Sequence, residues 1–150
     1  MTNRMTNRKT VFIDMDGVLA SYADENDKVN AHEFPVGFFY HRQPVYQVMD
    51  KILEVYGKEH LAILSAVPHG EAIIEKDMWL DKYFPVKKED RHYVMWKQET
   101  KQDFIQNYCE ENNIDIKNVV LIDDEHEILR NVEGIGCQVY HISRILTLSK

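Results

Sequence analysis

Cysteine is scarce: Cys109 and Cys137 are the only two in 150 residues. Their spacing matches no thiolate metal site, and one conceivable bridge is not a disulfide framework. A reducing, cytoplasmic setting is the expectation. Positive charge is also short, with 18 Lys and Arg against 25 Asp and Glu and a formal net charge of −7. That balance argues against a protein whose main task is gripping a nucleic-acid backbone or anionic lipid, so no stable nucleic-acid complex is expected. A small anionic substrate stays admissible, because a cleft can carry a local charge opposite to the global one. No stretch approaches the ~20 apolar residues of a membrane span. Residues 1–9 contain Met-Thr-Asn-Arg twice and lack the apolar run of a secretory signal, so they read as a frayed polar tail.

What is present is a hydrophobic content of 44%. That suffices for a core without staples and excludes a disordered or collagen-like chain. Residues 10–14 (Thr-Val-Phe-Ile-Asp), 61–65 (Leu-Ala-Ile-Leu-Ser), 92–96, 119–123 (Val-Val-Leu-Ile-Asp) and 138–141 read as strands. Helices are predicted from Pro44 to a stop at Gly57, over 71–84 with Ile74, Met78 and Trp79 on one side, over 100–113 behind a capping Thr100, and around 127–132. Strand and helix alternate, and the strands are continuously apolar. This implies a parallel sheet covered on both faces, a three-layer α/β/α Rossmann-like sandwich. One domain over 10–150 is expected, interrupted by an aperiodic insertion at about 20–43. The tryptophans, Trp79 and Trp96, read as core, and the mixed-charge run 87–91 as a solvated loop.

In such sheets ligands bind outside the carboxyl ends of the strands. Asp14, Ser65, Asp123 and Asp124 stand at those ends, and Asp16 follows Asp14 on a turn permitted by Gly17. Carboxylates gathered in one small volume repel and raise one another's pKa unless a cation intervenes. An all-oxygen set favours a hard ion, Mg²⁺, which also suits a phosphate. Phosphoryl transfer follows: one carboxylate takes the phosphoryl group, and a second moves the protons. Ser65 and a Lys within 97–101 would steady the phosphate oxygens. Lys97 and Lys101 are the two candidates in that segment.

These residues resemble the haloacid dehalogenase (HAD) superfamily of phosphohydrolases. Asp14-Met15-Asp16-Gly17 matches its first motif, Leu64-Ser65 the second, Lys101 or Lys97 the third and Asp123-Asp124 the fourth. A narrower likeness is to the 5′(3′)-deoxyribonucleotidase family, through Pro35-Val36-Gly37-Phe38-Phe39, the Pro44-led helix, Ser65-Ala66-Val67-Pro68 and Trp79. The resemblance implies Mg²⁺-dependent dephosphorylation of (deoxy)nucleoside monophosphates. Asp14 would then be nucleophile and metal ligand, and Asp16 general acid/base with its carbonyl on the metal. Ser65 and the Lys would bind phosphate, Lys101 being preferred over Lys97 because it follows the capping Thr100 and starts the helix that leads to the fourth-motif strand, with Asp123 and Asp124 completing the metal shell. Phe38 and Phe39 could stack on a base, and His41 and Arg42 contact phosphate or sugar. The insertion is shorter than that family's helical cap, which leaves the site open. A second copy of the chain, in a homo-oligomer, could roof it. The alternative is a phosphatase for other esters, such as nucleic-acid ends or sugar phosphates. A response-regulator-like phosphoacceptor would carry its acidic pair after the first strand, the opposite order to this chain.

Overall fold

A computed structural model of the chain describes residues 9–21 and 37–148. The tail 1–8, most of the expected insertion (22–36, with Pro35 and Val36) and residues 149–150 lie outside the described residues.

The elements run in the order β1 (Thr10–Ile13), α1 (Tyr46–Tyr56), β2 (Leu61–Val67), α2 (Gly70–Tyr83), β3 (Arg91–Met95), α3 (Lys101–Asn112), β4 (Val119–Asp123), α4 (His126–Gly134), β5 (Gln138–His141) and α5 (Ile142–Ile145). All strand pairs are parallel, in the order β3-β2-β1-β4-β5. The chain therefore walks outward from β1 through β2 to β3, then crosses to β4 on the other side of β1. The crevice at that reversal lies between the carboxyl ends of β1 and β4, where such sheets bind ligands. The expected three-layer α/β/α sandwich is what is found.

Strand periodicity divides the core. Val11, Ile13, Ile63, Val120 and Ile122 face one layer with Val48, Met49 and Ile52 of α1, Trp79 and Leu80 of α2, and Ile145 of α5. Phe12, Ala62, Leu64, Val119 and Leu121 face the other, with Ile105 and Cys109 of α3 and Leu129 and Val132 of α4. Successive side chains point to opposite faces, so a strand covered on both sides must be apolar throughout. Local signals mark the ends. Gly57 stops α1 at φ +82°, Thr100 Oγ1 accepts the amide of Asp103, and Asn113 closes α3 in the left-handed conformation.

Two expectations are corrected. The inward face of α2 carries Ala72, Lys76, Trp79 and Leu80, while Ile74 and Met78 are 62% and 52% exposed. A lysine in the buried stripe hid the true helical face. Arg91 is also no solvated loop residue. Its guanidinium is buried, donating from Nε to the Val86 carbonyl (2.9 Å) and from NH2 to Asp81 Oδ1 (2.7 Å), which ties β3 to α2. No described helix is long and apolar enough to cross a membrane.

His92 of β3 provides a pH test of the packing. Its ring meets Phe12, Phe104 and Tyr108 at centroid distances of 6.0, 5.1 and 5.1 Å. Its buried Nε2 has no hydrogen-bond partner among the described residues. Burial pushes its pKa below the ordinary histidine value, and Asp90 only partly opposes this. The unfolded chain thus takes up a proton before the folded one does. Stability contributed by this site is lost as pH falls below about 6.5, at no more than about 1.4 kcal/mol per pH unit. Urea unfolding between about pH 7.5 and pH 5.5 should show a shallower acid loss in His92→Phe than in the parent. Parallel profiles would refute this assignment.

Candidate active site

The site begins where β1 ends. The amide of Asp14 still pairs with the Ile122 carbonyl of β4 (3.0 Å), so the Asp14 side chain starts at the sheet's edge. A tight turn follows, in which the Met15 carbonyl accepts the amides of Val18, Leu19 and Ala20 (3.1, 3.0 and 2.9 Å). Gly17 permits it with φ +82°. The chain's outward and return paths then meet. The Ser21 amide donates to the Gln43 carbonyl and the Val45 amide to that of Leu19, both at 2.8 Å, so the expected insertion is pinned at its base.

Lys101, the first residue of α3, has its ammonium 3.1 Å from Asp14 Oδ1 and 2.7 Å from Asp123 Oδ2. All three side chains are buried. Asp123 Oδ1 accepts the amides of Asp124 (2.8 Å) and Glu125 (3.1 Å), which fixes the carboxylate at the start of α4. Asp14, Asp123 and Asp124 can each offer one oxygen within 4.8 Å of the others. Asp124 is held from behind: His141 Nδ1 accepts the Ser143 amide (3.1 Å), so its Nε2–H donates to the Asp124 carbonyl (3.0 Å).

A second buried ammonium, Lys76 of α2, lies 2.9 Å from Asp16 Oδ2, 2.6 Å from Ser65 Oγ and 3.1 Å from the Ala66 carbonyl. Nothing in the sequence reading singled it out. The available signal was its place in the 72–76–79–80 stripe.

The aromatic segment after Gly37 is moored to the same helix. Glu75 Oε1 accepts the amides of Phe39 (3.0 Å) and Tyr40 (3.4 Å), and Trp79 Nε1 donates to the Arg42 carbonyl (2.8 Å). Arg42 donates to the Phe38 carbonyl (2.9 Å), and its guanidinium lies 4.5 Å from the Phe38 ring centroid.

A cavity of about 230 Å³ is lined by Asp14, Asp16, Phe38, Arg42, Lys101 and Asp124, among others that include Phe39, Trp96 and Glu125. The structure thus brings Asp14, Asp16, Lys101, Asp123 and Asp124 together, with Phe38, Phe39 and Arg42 around them, while Ser65 is fully buried behind them against the Lys76 ammonium. Two candidates fall outside. His41 is exposed, edge-on to Tyr40, because the turn closed by its amide on the Gly37 carbonyl sends Arg42 inward instead. Lys97 is exposed at φ +63° and lines a neighbouring cavity of about 390 Å³. Trp96 corrects the reading of it as core: it is 40% exposed and forms a wall of both cavities.

The charges do not balance. Among the described residues, five carboxylates (Asp14, Asp16, Asp123, Asp124, Glu125) meet three cations (Arg42, Lys76, Lys101). Burial, helped by Asp123 and Asp16, pushes the Asp14 carboxyl well above its usual range against the pull of Lys101 and Lys76. Burial and the neighbouring Asp123 and Asp124 likewise raise Glu125. For Lys101, burial alone would lower the pKa, but Asp14 and Asp123 outweigh it and keep the ammonium charged. A further cation would relieve the acids.

No protein-family model matches the chain, and no curated protein matches it. Solved structures do. A HAD-family enzyme from Bacteroides thetaiotaomicron, in complex with magnesium and inorganic phosphate, superposes with a TM-score of 0.58 at 15% identity over 89% of this chain and 93% of its own. The fold is HAD-like. A HAD-family hydrolase from Deinococcus radiodurans with bound phosphate and sodium gives 0.60 at 12% identity, over 91% of this chain and 87% of that one. An uncharacterized protein from Corynebacterium glutamicum gives 0.56 at 16%, covering 95% and 98%. In this HAD-like fold the acidic cluster occupies the switch point between β1 and β4.

Proposed function

We propose that this chain is a Mg²⁺-dependent phosphomonoester hydrolase, acting on (deoxy)nucleoside monophosphates through an aspartyl phosphate. The observation that carries the reading is the convergence of Asp14, Asp123 and Asp124 on one buried spot beside the Lys101 ammonium. Two of the structural neighbours hold phosphate with a metal ion.

The donor set fits magnesium. Three carboxylate oxygens that can gather within 4.8 Å of one another, with no sulfur or nitrogen donor among them, are a hard all-oxygen set of the kind Mg²⁺ takes. Asp14, Asp123 and Asp124 would hold it, with the Asp16 carbonyl. Bound there, the ion would neutralise charge on the phosphate oxygens.

The residues divide the work. An Asp14 carboxylate oxygen attacks phosphorus, and the bond from phosphorus to the ester oxygen breaks. Protonated Asp16 gives its proton to the departing alkoxide. A water then attacks the phosphorus of the aspartyl phosphate, Asp16 accepts its proton, and Asp14 and inorganic phosphate are released. Ser65 and Lys101 steady the phosphate oxygens. Two of the three N–H donors of Lys101 serve Asp14 and Asp123, and the third is assigned to phosphate.

The nucleotide part of the reading rests on Phe38, Arg42 and Trp96 at the cavity wall. Aromatic side chains hold bases by stacking, at roughly 1–3 kcal/mol per base. The two thiols suit a reducing cytoplasm: burial pushes Cys109 to about 11 and Cys137 to about 12, which makes both unreactive.

A phosphate-release assay tests this on deoxynucleotides, ribonucleotides, sugar phosphates and 5′-phosphorylated oligonucleotides, with Mg²⁺ and with EDTA. Turnover of nucleoside monophosphates that EDTA abolishes is the expected result. Turnover of sugar phosphates alone would remove the nucleotidase reading, and no turnover of any ester would remove the hydrolase.

A further inference from the structure

We infer that Lys76 is a positioning residue that sets two groups of this site at once, turning the Ser65 hydroxyl into a phosphate donor and aiming the Asp16 carboxylate for proton transfer. The inference rests on the hydrolase reading above.

An ammonium has three N–H donors and no acceptor. Those of Lys76 meet three acceptors: Asp16 Oδ2 at 2.9 Å, Ser65 Oγ at 2.6 Å and the Ala66 carbonyl at 3.1 Å. None remains for a phosphate, so Lys76 is no phosphate ligand, although it stands beside two candidate ones. Its burial agrees: the side chain is 1% exposed, whereas that of Asp16 is 35% exposed. The ammonium lies behind the carboxylate, away from solvent, with the Phe39 ring 4.9 Å from it.

The consequence for Ser65 is directional. A hydroxyl rotor can point its proton in several directions, but toward Lys76 it meets only donors. Ser65 Oγ must accept there, and its own hydrogen turns elsewhere; because Ser65 is fully buried, that hydrogen meets a phosphate oxygen only at the floor of the cavity. For Asp16 the constraint is similar. Oδ2 is occupied by the ammonium, so Oδ1 is the oxygen assigned to carry the proton to the leaving group. Lys101 cannot substitute for it, being committed to Asp14 and Asp123.

Leaving-group dependence tests the inference. Benzyl phosphate needs a proton delivered to its alkoxide, whereas p-nitrophenolate of similar size departs unaided. The variants are Lys76→Met and the milder Lys76→Gln, which keeps a donor without charge, each assayed for kcat/KM in Mg²⁺ beside the parent and Ser65→Ala. Lys76→Met should lose about 10²-fold or more on benzyl phosphate and at least tenfold less than that on p-nitrophenyl phosphate, the span of a general-acid contribution. Lys76→Gln should show the same imbalance at smaller size, which preserves the test if Lys76→Met folds poorly. Ser65→Ala should lose equally on both esters. Equal losses on both esters in the Lys76 variants would overturn the inference and leave the hydrolase intact. A rise in KM alone, with matching loss of inhibition by inorganic phosphate, would make Lys76 a phosphate ligand and also overturn it. If the parent hydrolyses neither ester, the hydrolase reading fails and takes this inference with it.

Discussion

Asp14→Asn is expected to abolish phosphate release while leaving the fold intact and the metal-free protein at least as stable as the parent. The catalytic part follows from chemistry: a carboxamide is a poor nucleophile toward phosphorus, and removing a covalent nucleophile costs on the order of 10⁴-fold or more. The stability part follows from linkage. The folded state holds the Asp14 carboxyl well above its usual range, chiefly through burial. A carboxyl raised on folding contributes stability below its unfolded pKa of about 3.9 and loses it as pH rises through the folded value. At neutral pH the ionised side chain therefore opposes folding, and a neutral amide of the same shape removes that opposition. Lys101 keeps Asp123 as its partner at 2.7 Å. Two measurements decide the matter, phosphate release in Mg²⁺ and thermal unfolding in EDTA. Parent-like turnover would end the covalent mechanism. A marked drop in unfolding temperature would show Asp14 to be a structural ion-pair member instead.

Much of this arrangement was legible from residue types, because the informative segments obey one rule at a time. The run 119–123 is apolar until its terminal Asp, and so is 10–14 after Thr10; strands buried on both faces allow little else. Two such runs in an alternating α/β chain place Asp14 and Asp123 at one edge. That Lys101 rather than Lys97 reaches the acidic cluster was also readable. Thr100 caps a helix, so residue 101 starts on a fixed turn, whereas Lys97 sits at φ +63° in the link before it. Two of the misreadings, Lys76 and Trp96, occur where the candidate site and the packing share a face. On α2 the inward stripe includes Lys76, a charged residue that periodicity assigns to solvent until its partners are known. Those partners, Asp16 and Ser65, are 60 and 11 positions away. Trp96 misled in the opposite direction, as a large apolar side chain that lines a cavity rather than filling the core. Glu75 and its hold on the amides of Phe39 and Tyr40 depend on how α2 meets a distant loop, which no local pattern encodes.

Lys101→Met should be the most destructive single change to the metal-free protein, and Mg²⁺ should repair part of it. The Lys101 side chain is 3% exposed and touches both Asp14 and Asp123, so its removal leaves two buried carboxylates facing each other without a counter-charge. Breaking a buried ion pair by deleting one partner costs about 3–5 kcal/mol. That is a large part of the roughly 5–15 kcal/mol that holds a domain together. In a chain of this length the unfolding temperature in EDTA should fall by about 6–20 °C. A divalent cation held by the same acids would oppose that repulsion. Mg²⁺ at about a hundred times its dissociation constant adds about 2.7 kcal/mol, so the variant should gain more from the metal than the parent does. Turnover should stay about 10²–10³-fold down even in saturating Mg²⁺, because the phosphate has lost its ammonium donor. Lys97→Met, an exposed change, should match the parent in both assays. If instead Lys97→Met proved the damaging substitution, or Lys101→Met melted at the parent's temperature in EDTA, the two lysines would have to exchange roles. The charge balance that calls for a metal at this sheet edge would then fail with them.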